Sequence, residues 1–193
     1  MKHLIIPAVL FFILSACASE APRRPERVRR YGADVAGADK ASADYAGQVM
    51  TAADFRGAFL TRANFVGASL PSADFEKARL VNAHFERADA RAANFRSADV
   101  RQSGFAGAHL EHADFQHANL SDCVFRGADL SGALFYRAYA PGANFERAKL
   151  GGANLKEANL EGAQLQYADL RAADLSSAVL RGADFSGADL RGA

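Results

Sequence analysis

The chain of 193 residues has no Trp, two Cys, two Met and five Pro. Two cysteines, Cys17 and Cys123, cannot build the disulfide framework by which small secreted domains compensate for a small core. The longest apolar run, Leu4 to Leu14, is eleven residues, too short for a membrane-spanning helix of ~20. Net charge is +1, so the total gives no argument for a nucleic-acid partner. The charge is unevenly placed. Segment 18–30 holds five Arg against two Glu, a balance of +3, whereas 31–193 holds 17 Lys and Arg against 20 Asp and Glu, a balance of −3. A basic stretch therefore precedes a mildly acidic body.

What is abundant is one pattern. Large apolar residues recur every fifth position from Phe55 to Leu190, 28 centres without insertion: eleven Phe, fourteen Leu, Ala90, Val100 and Ala140. Two positions before each centre stands a small residue. Of the 33 such slots from Ala33 to Ala193, thirty are Ala and the exceptions are Gln48, Ser103 and Cys123. Asp or Asn most often lies between the small slot and the centre. Two mostly polar residues follow the centre, with Gly frequent at the second.

A period of five excludes both regular elements. A helix advances ~500° in five residues, so the apolar stripe leaves any single face. A straight strand has period two, so an odd repeat throws successive centres onto opposite faces. A chain that turns about 90° every five residues keeps every centre inside, and four repeats close one coil of roughly twenty residues. From 55 to 145 every other centre is Phe: Phe55, Phe65, Phe75, Phe85, Phe95, Phe105, Phe115, Phe125, Phe135 and Phe145. In a four-sided coil these face one another across the interior and stack as ring columns at ~4.8 Å. From Leu150 the centres are nearly all Leu. Gly in the second slot after the centre suits the corners.

Segments such as Ala53-Asp54-Phe55, Ala63-Asn64-Phe65, Ala153-Asn154-Leu155 and Ala183-Asp184-Phe185 resemble the pentapeptide repeat family over about 31–193. The resemblance implies an all-β fold, a right-handed quadrilateral β-helix of about eight coils. Lys40 at a centre and Gln48 at a small slot predict a frayed first coil. No extra segment follows the last repeat, so the C-terminal coil is expected to lack a cap. Family members that stack through such ends make an end-to-end homodimer an expectation here.

The N-terminus reads as an address. Met1-Lys2-His3 is a short positive start, the apolar run follows, and Leu14-Ser15-Ala16-Cys17 ends it. This order fits a secretory signal over 1–16, and its end resembles the lipobox of bacterial lipoproteins. The resemblance implies cleavage before Cys17 and acylation of its thiol and new amino group, a stable anchor. A plain signal cleaved near Ala16 or Ala18 is the alternative. Ala18-Ser19, where inner-membrane lipoproteins carry Asp, implies the outer membrane, facing the periplasm. Residues 17–30, with Pro22 and Pro25, read as a lipidated N-terminus and a tether. Its arginines either meet anionic head groups or are simply solvated.

No catalytic constellation is present. The many Asp and Asn follow the repeat, and no isolated carboxylate pair stands out. His84, His109, His112 and His117 occupy outward slots that do not converge as a metal site requires, so no metal and no cofactor are expected. Cys123 in a small slot replaces Ala. Leu134, Tyr136 and Tyr139 place apolar groups in outward slots near Pro141. They form either a partner patch or drift in a degenerate repeat. The expected function is a non-enzymatic, membrane-anchored binding or structural module of the envelope with an unidentified protein partner. The alternative is a DNA mimic that binds a topoisomerase, as some family members do. The small body charge, its scattered arginines (Arg56, Arg96, Arg126, Arg181) and the export signal oppose it.

Overall fold

The computed structural model describes residues 35–193. The proposed signal, Cys17, the tether and Ala33-Asp34 lie outside the described residues. Every bridge is parallel and joins residue i to i+20, from Asp39↔Phe59 to Asp169↔Asp189. A constant register of twenty over five-residue steps gives a coil with four sides. Eight such coils make a rod roughly 40 Å long at ~4.8 Å per coil.

The sides are short. Each contributes a single bridge residue, with no longer strand among the described residues. The corner consumes two of every five residues, which leaves three extended ones. Of these only the middle residue is paired as a bridge. The corner itself is a turn closed by a bond such as Ala58 N to Phe55 O at 3.0 Å. In every repeat from Gly37 to Gly192 the second residue after the centre has positive φ, as a type II turn requires. The backbone imposes this on Ala52 (φ 53°) and Arg87 (φ 58°) as well as on Gly57 (φ 61°).

Accounting for amide protons explains the Asp and Asn of the repeat. In the repeat that begins at Phe55, Phe55 N donates to Asp74 O (2.7 Å) and Gly57 N to Glu76 O (2.8 Å) in the following coil. Ala58 N closes the turn, and Phe59 N donates to Ala38 O (2.9 Å) in the preceding coil. Only the residue directly after the centre lacks a backbone acceptor. Arg56 N instead donates to Asp54 Oδ1 at 3.0 Å. The same Asx bond recurs at Val66–Asn64, Gln116–Asp114 and Lys156–Asn154. Where the bridge residue is Ser69 or Tyr139, the residue after the centre is Pro71 or Pro141, which has no amide proton to satisfy.

Inside, the Ala slots and the centres from Met50 to Leu170 are buried. Phe rings stack along two opposite sides with centroids 4.8 Å apart for Phe55–Phe75 and 4.6 Å for Phe65–Phe85. Across the interior they meet edge-on, 5.6 Å for Phe55–Phe65 at 86°. Both geometries suit the ring quadrupole. Ser103 and Cys123, the two fully buried exceptions in the small slot, sit one above the other. The Ser103 hydroxyl donates to Leu80 O (2.6 Å) and the Cys123 thiol to Val100 O (2.9 Å).

The first coil departs from the expected fraying. Its ladder is intact, with Lys40 N to Phe59 O at 2.8 Å and Tyr45 N to Asn64 O at 2.7 Å. Only its packing is loose: Lys40 is exposed, and Tyr45 and Gln48 are half-buried. Ladder bonds need the backbone alone, so a poor centre costs burial without breaking register. In the last coil Leu175, Leu180 and Phe185 are partly exposed and Leu190 is 41% exposed.

Candidate functional site

With the interior filled, chemistry or contact falls to the four outer sides and the end coils. Most outer charges are consumed locally. In Asp-x-Arg repeats the Arg after the centre returns to the bridge Asp: Arg56 to Asp54 (2.6 Å), Arg91 to Asp89 (2.7 Å), Arg101 to Asp99 (2.7 Å) and Arg171 to Asp169 (2.6 Å). Hydrogen bonds from these arginines are the main cause holding each of the four Asp carboxyls below its ordinary value. The pairs are exposed and contribute little to stability individually.

With the four sides numbered in chain order from those of Asp54, Phe59, Asn64 and Ser69, the second side is different. Its bridge column runs Asp39, Phe59, Arg79, Asp99, Asn119, Tyr139, Asn159, Val179. Phe59 (48% exposed), Tyr139 (49%) and Val179 (46%) are three of the large apolar groups that remain in solvent. Two shallow open depressions of about 330 and 400 Å³ lie along this side. The first is lined by Phe59, Thr61, Arg79 and Val81, the second by Asn119, Ser121, Asp122 and Tyr139. Val81 and Arg101 border both. Together they form one groove running along the rod from Asp39 to Tyr139.

The structure divides the residues that sequence proximity grouped. Leu134 and Tyr136 lie on the first side and are half-buried, while Tyr139 lies beyond a corner on the second. Tyr136 is engaged locally. Its hydroxyl lies 3.4 Å from Glu157 Oε1, the Arg137 guanidinium is 5.0 Å from its ring centroid, and His117 packs edge-on. Tyr139 joins Phe59 instead, which sequence reasoning overlooked. The signal was present: Phe59 occupies a slot the repeat gives to Asp or Asn, and multiples of twenty carry it to Tyr139.

The described residues contain no group of three or more His, Cys, Asp or Glu placed to hold a metal. His84 and His109 lie near the Glu two residues on, at 3.5 and 3.8 Å. Burial pushes the Cys123 thiol up from 9.0 to about 12. This makes it inert to thiol reagents at neutral pH.

These shifts set a pH window. The depressed Asp groups stabilise the fold above their unfolded value of 3.8, and that contribution is lost as pH falls through their folded values. The raised Cys123 contributes fully below 9.0, and that contribution is lost as pH rises towards about 12. The Cys123 loss has a slope of about 1.4 kcal/mol per pH unit. Urea melts across pH are expected to show a plateau between these limits. Cys123→Ala should shrink the alkaline limb. An unchanged limb would show that Cys123 does not carry it.

Comparison with known proteins agrees with this architecture. The family "Pentapeptide repeat region" matches residues 58–135, and "Pentapeptide repeats (8 copies)" matches 142–176 and 158–193. HetL, a pentapeptide repeat protein involved in heterocyst differentiation regulation from the cyanobacterium Nostoc, is similar at 30% identity with a TM-score of 0.55. The match covers 82% of this chain and 81% of HetL. QnrB1, a plasmid-mediated fluoroquinolone resistance protein, shares the fold at 19% identity and TM-score 0.51, over 79% of this chain and 86% of its own. No curated protein matches the sequence. With its twenty-residue register, its Ala and Phe or Leu interior and these matches, the chain belongs to the pentapeptide repeat family.

Proposed function

We propose that the protein is a non-enzymatic, exported bacterial lipoprotein, anchored through acylated Cys17, and that its rod is a rigid module binding another envelope protein through the second side. The observation that carries the binding role is the pairing of a filled interior with one side on which Phe59 and Tyr139 stand half-exposed along a groove. Aromatic groups on a rigid surface are effective anchors because little side-chain entropy is lost on contact. The lipobox-like Leu14-Ser15-Ala16-Cys17 supports the anchor, with the outer membrane as the destination. The DNA-mimic reading is not favoured, because Arg side chains neutralise the Asp carboxylates of several repeats and break up the negative field such mimicry needs.

The test is made in a Gram-negative host. A photo-crosslinking amino acid replaces Phe59, Tyr139 or, as a control on the fourth side, Lys149. Discrete protein adducts from the first two positions alone are expected. Equal adducts from Lys149, or none, would remove the second side as the binding face. In the same cells the native chain should carry acyl mass and sediment with outer membrane, and Cys17→Ser should do neither. If both forms are soluble and unlipidated, the anchor is wrong and the cytoplasmic readings return.

A further inference from the structure

We infer that the segment bound by the second side is an extended stretch of a partner protein carrying an acidic side chain beside a large apolar one. The carboxylate seats at Arg79 and the apolar group on Phe59 or Tyr139. This rests on the protein-binding reading above and names the chemistry of the partner.

The charge arrangement in the groove is the argument. Asp99 shares this side with two arginines, Arg79 and Arg101, and is committed to one of them. Arg101 Nε and Nη2 hold its two oxygens at 2.7 and 2.8 Å. Arg79 is close enough to Asp99 to act on it electrostatically, yet its guanidinium makes no hydrogen bond or ion pair among the described residues. One carboxylate against two guanidiniums leaves a local excess of one positive charge. Arg79 is itself exposed and occupies a bridge slot, whereas Arg101 and the other paired arginines occupy one of the two slots after a centre. Asp39 and Asp122 border the outer parts of the groove. They disfavour a second anion there, which fixes the acidic residue of the partner near the middle.

Length and backbone chemistry narrow the partner further. Phe59 and Tyr139 are four coils apart, about 19 Å at ~4.8 Å per coil, a span of roughly six extended residues. The ladder engages the bridge amides of this side on both coils, with Arg79 N to Ala58 O at 2.9 Å and Leu80 N to Asp99 O at 2.7 Å. The partner is therefore gripped by side chains and adds no strand.

The experiment is selection from a displayed library of random dodecapeptides on the mature chain, residues 17–193, with counter-selection on Arg79→Glu. Enriched peptides are expected to carry Asp or Glu within two residues of Phe, Leu, Ile or Tyr. By fluorescence anisotropy they should bind Arg79→Glu at least tenfold and Phe59→Ser at least fivefold more weakly. Arg191→Glu on the fourth side should bind them as the native chain does, and all three variants should unfold at native denaturant concentrations. Enriched peptides without acid, equal binding to Arg79→Glu, or no enrichment would each overturn the inference. So would Arg79-dependent binding of duplex DNA or anionic vesicles in place of peptide. If the inference fails while crosslinks from Phe59 still capture protein, the binding face stands and only its acidic preference falls. If the crosslinks fail too, both fall.

Discussion

Phe95→Ala is expected to destabilise the protein by about 3–5 kcal/mol, towards the upper end of what removing a buried ring costs. Phe95 is fully buried. It stacks on Phe75 at 4.9 Å and Phe115 at 4.8 Å, and meets Phe85 and Phe105 edge-on at 5.7 and 5.9 Å. The cost of such a cavity depends on how far its walls can collapse. Here they cannot move along the rod, because the coils before and after are held at fixed spacing by bonds such as Phe75 N to Asn94 O and Phe95 N to Asp114 O, both 2.7 Å. Phe185→Ala provides the comparison. Phe185 is partly exposed in the last coil, so its removal should cost about half as much or less. Urea unfolding of both variants decides the matter. If Phe95→Ala costs no more than Phe185→Ala, the ring columns are not what holds the central coils.

The contrast between columns is visible in the sequence. The positions where a centre shrinks, Ala90, Val100 and Ala140, all lie on the two Leu sides, and none interrupts the Phe columns between 55 and 145. A missing Leu exposes its neighbours to a gap of a few methylenes. A missing Phe removes two stacked and two edge-on contacts together.

The period of five and the alternation of Phe were enough to derive a four-sided coil, because each is a property of spacing. What spacing did not show was the fate of individual groups. The amide of the residue after the centre turns to the Asp or Asn side chain rather than to the backbone ladder, and only the hydrogen-bond pattern reveals why Asp54 or Asn64 precedes the centre. Leu134, Tyr136 and Tyr139 looked contiguous because they are close in sequence, yet the corner at Arg137 (φ 55°) turns Tyr139 onto another side. Phe59 and Tyr139, far apart in sequence, share one column. In a coil of twenty residues, surface neighbours are found by steps of twenty, and a reading along the chain misses them.

The amide accounting gives a second large effect, from one residue of displacement. Gly151→Pro is expected to stabilise the protein by about 0.4–1 kcal/mol, whereas Gly152→Pro should cost about 3 kcal/mol or more. Gly151 follows a centre, Leu150, and its amide donates to no acceptor among the described residues because the bridge residue is Lys149, which is bonded to Asp129 at 2.9 Å. A Cβ there meets only Arg171 O at 3.8 Å, an ordinary contact. Proline at this position completes the Pro-Gly order a type II turn prefers. The chain already uses that order at Pro141-Gly142, where φ of Gly142 is 67°. Gly152 has φ 65° and donates to Arg171 O at 2.9 Å. Proline can supply neither that dihedral nor the amide proton. Denaturant unfolding of the two single variants measures the gap. Two substitutions of equal cost would mean that the corner tolerates proline in either slot, and that the placement of Pro71 and Pro141 does not reflect the ladder of amide bonds.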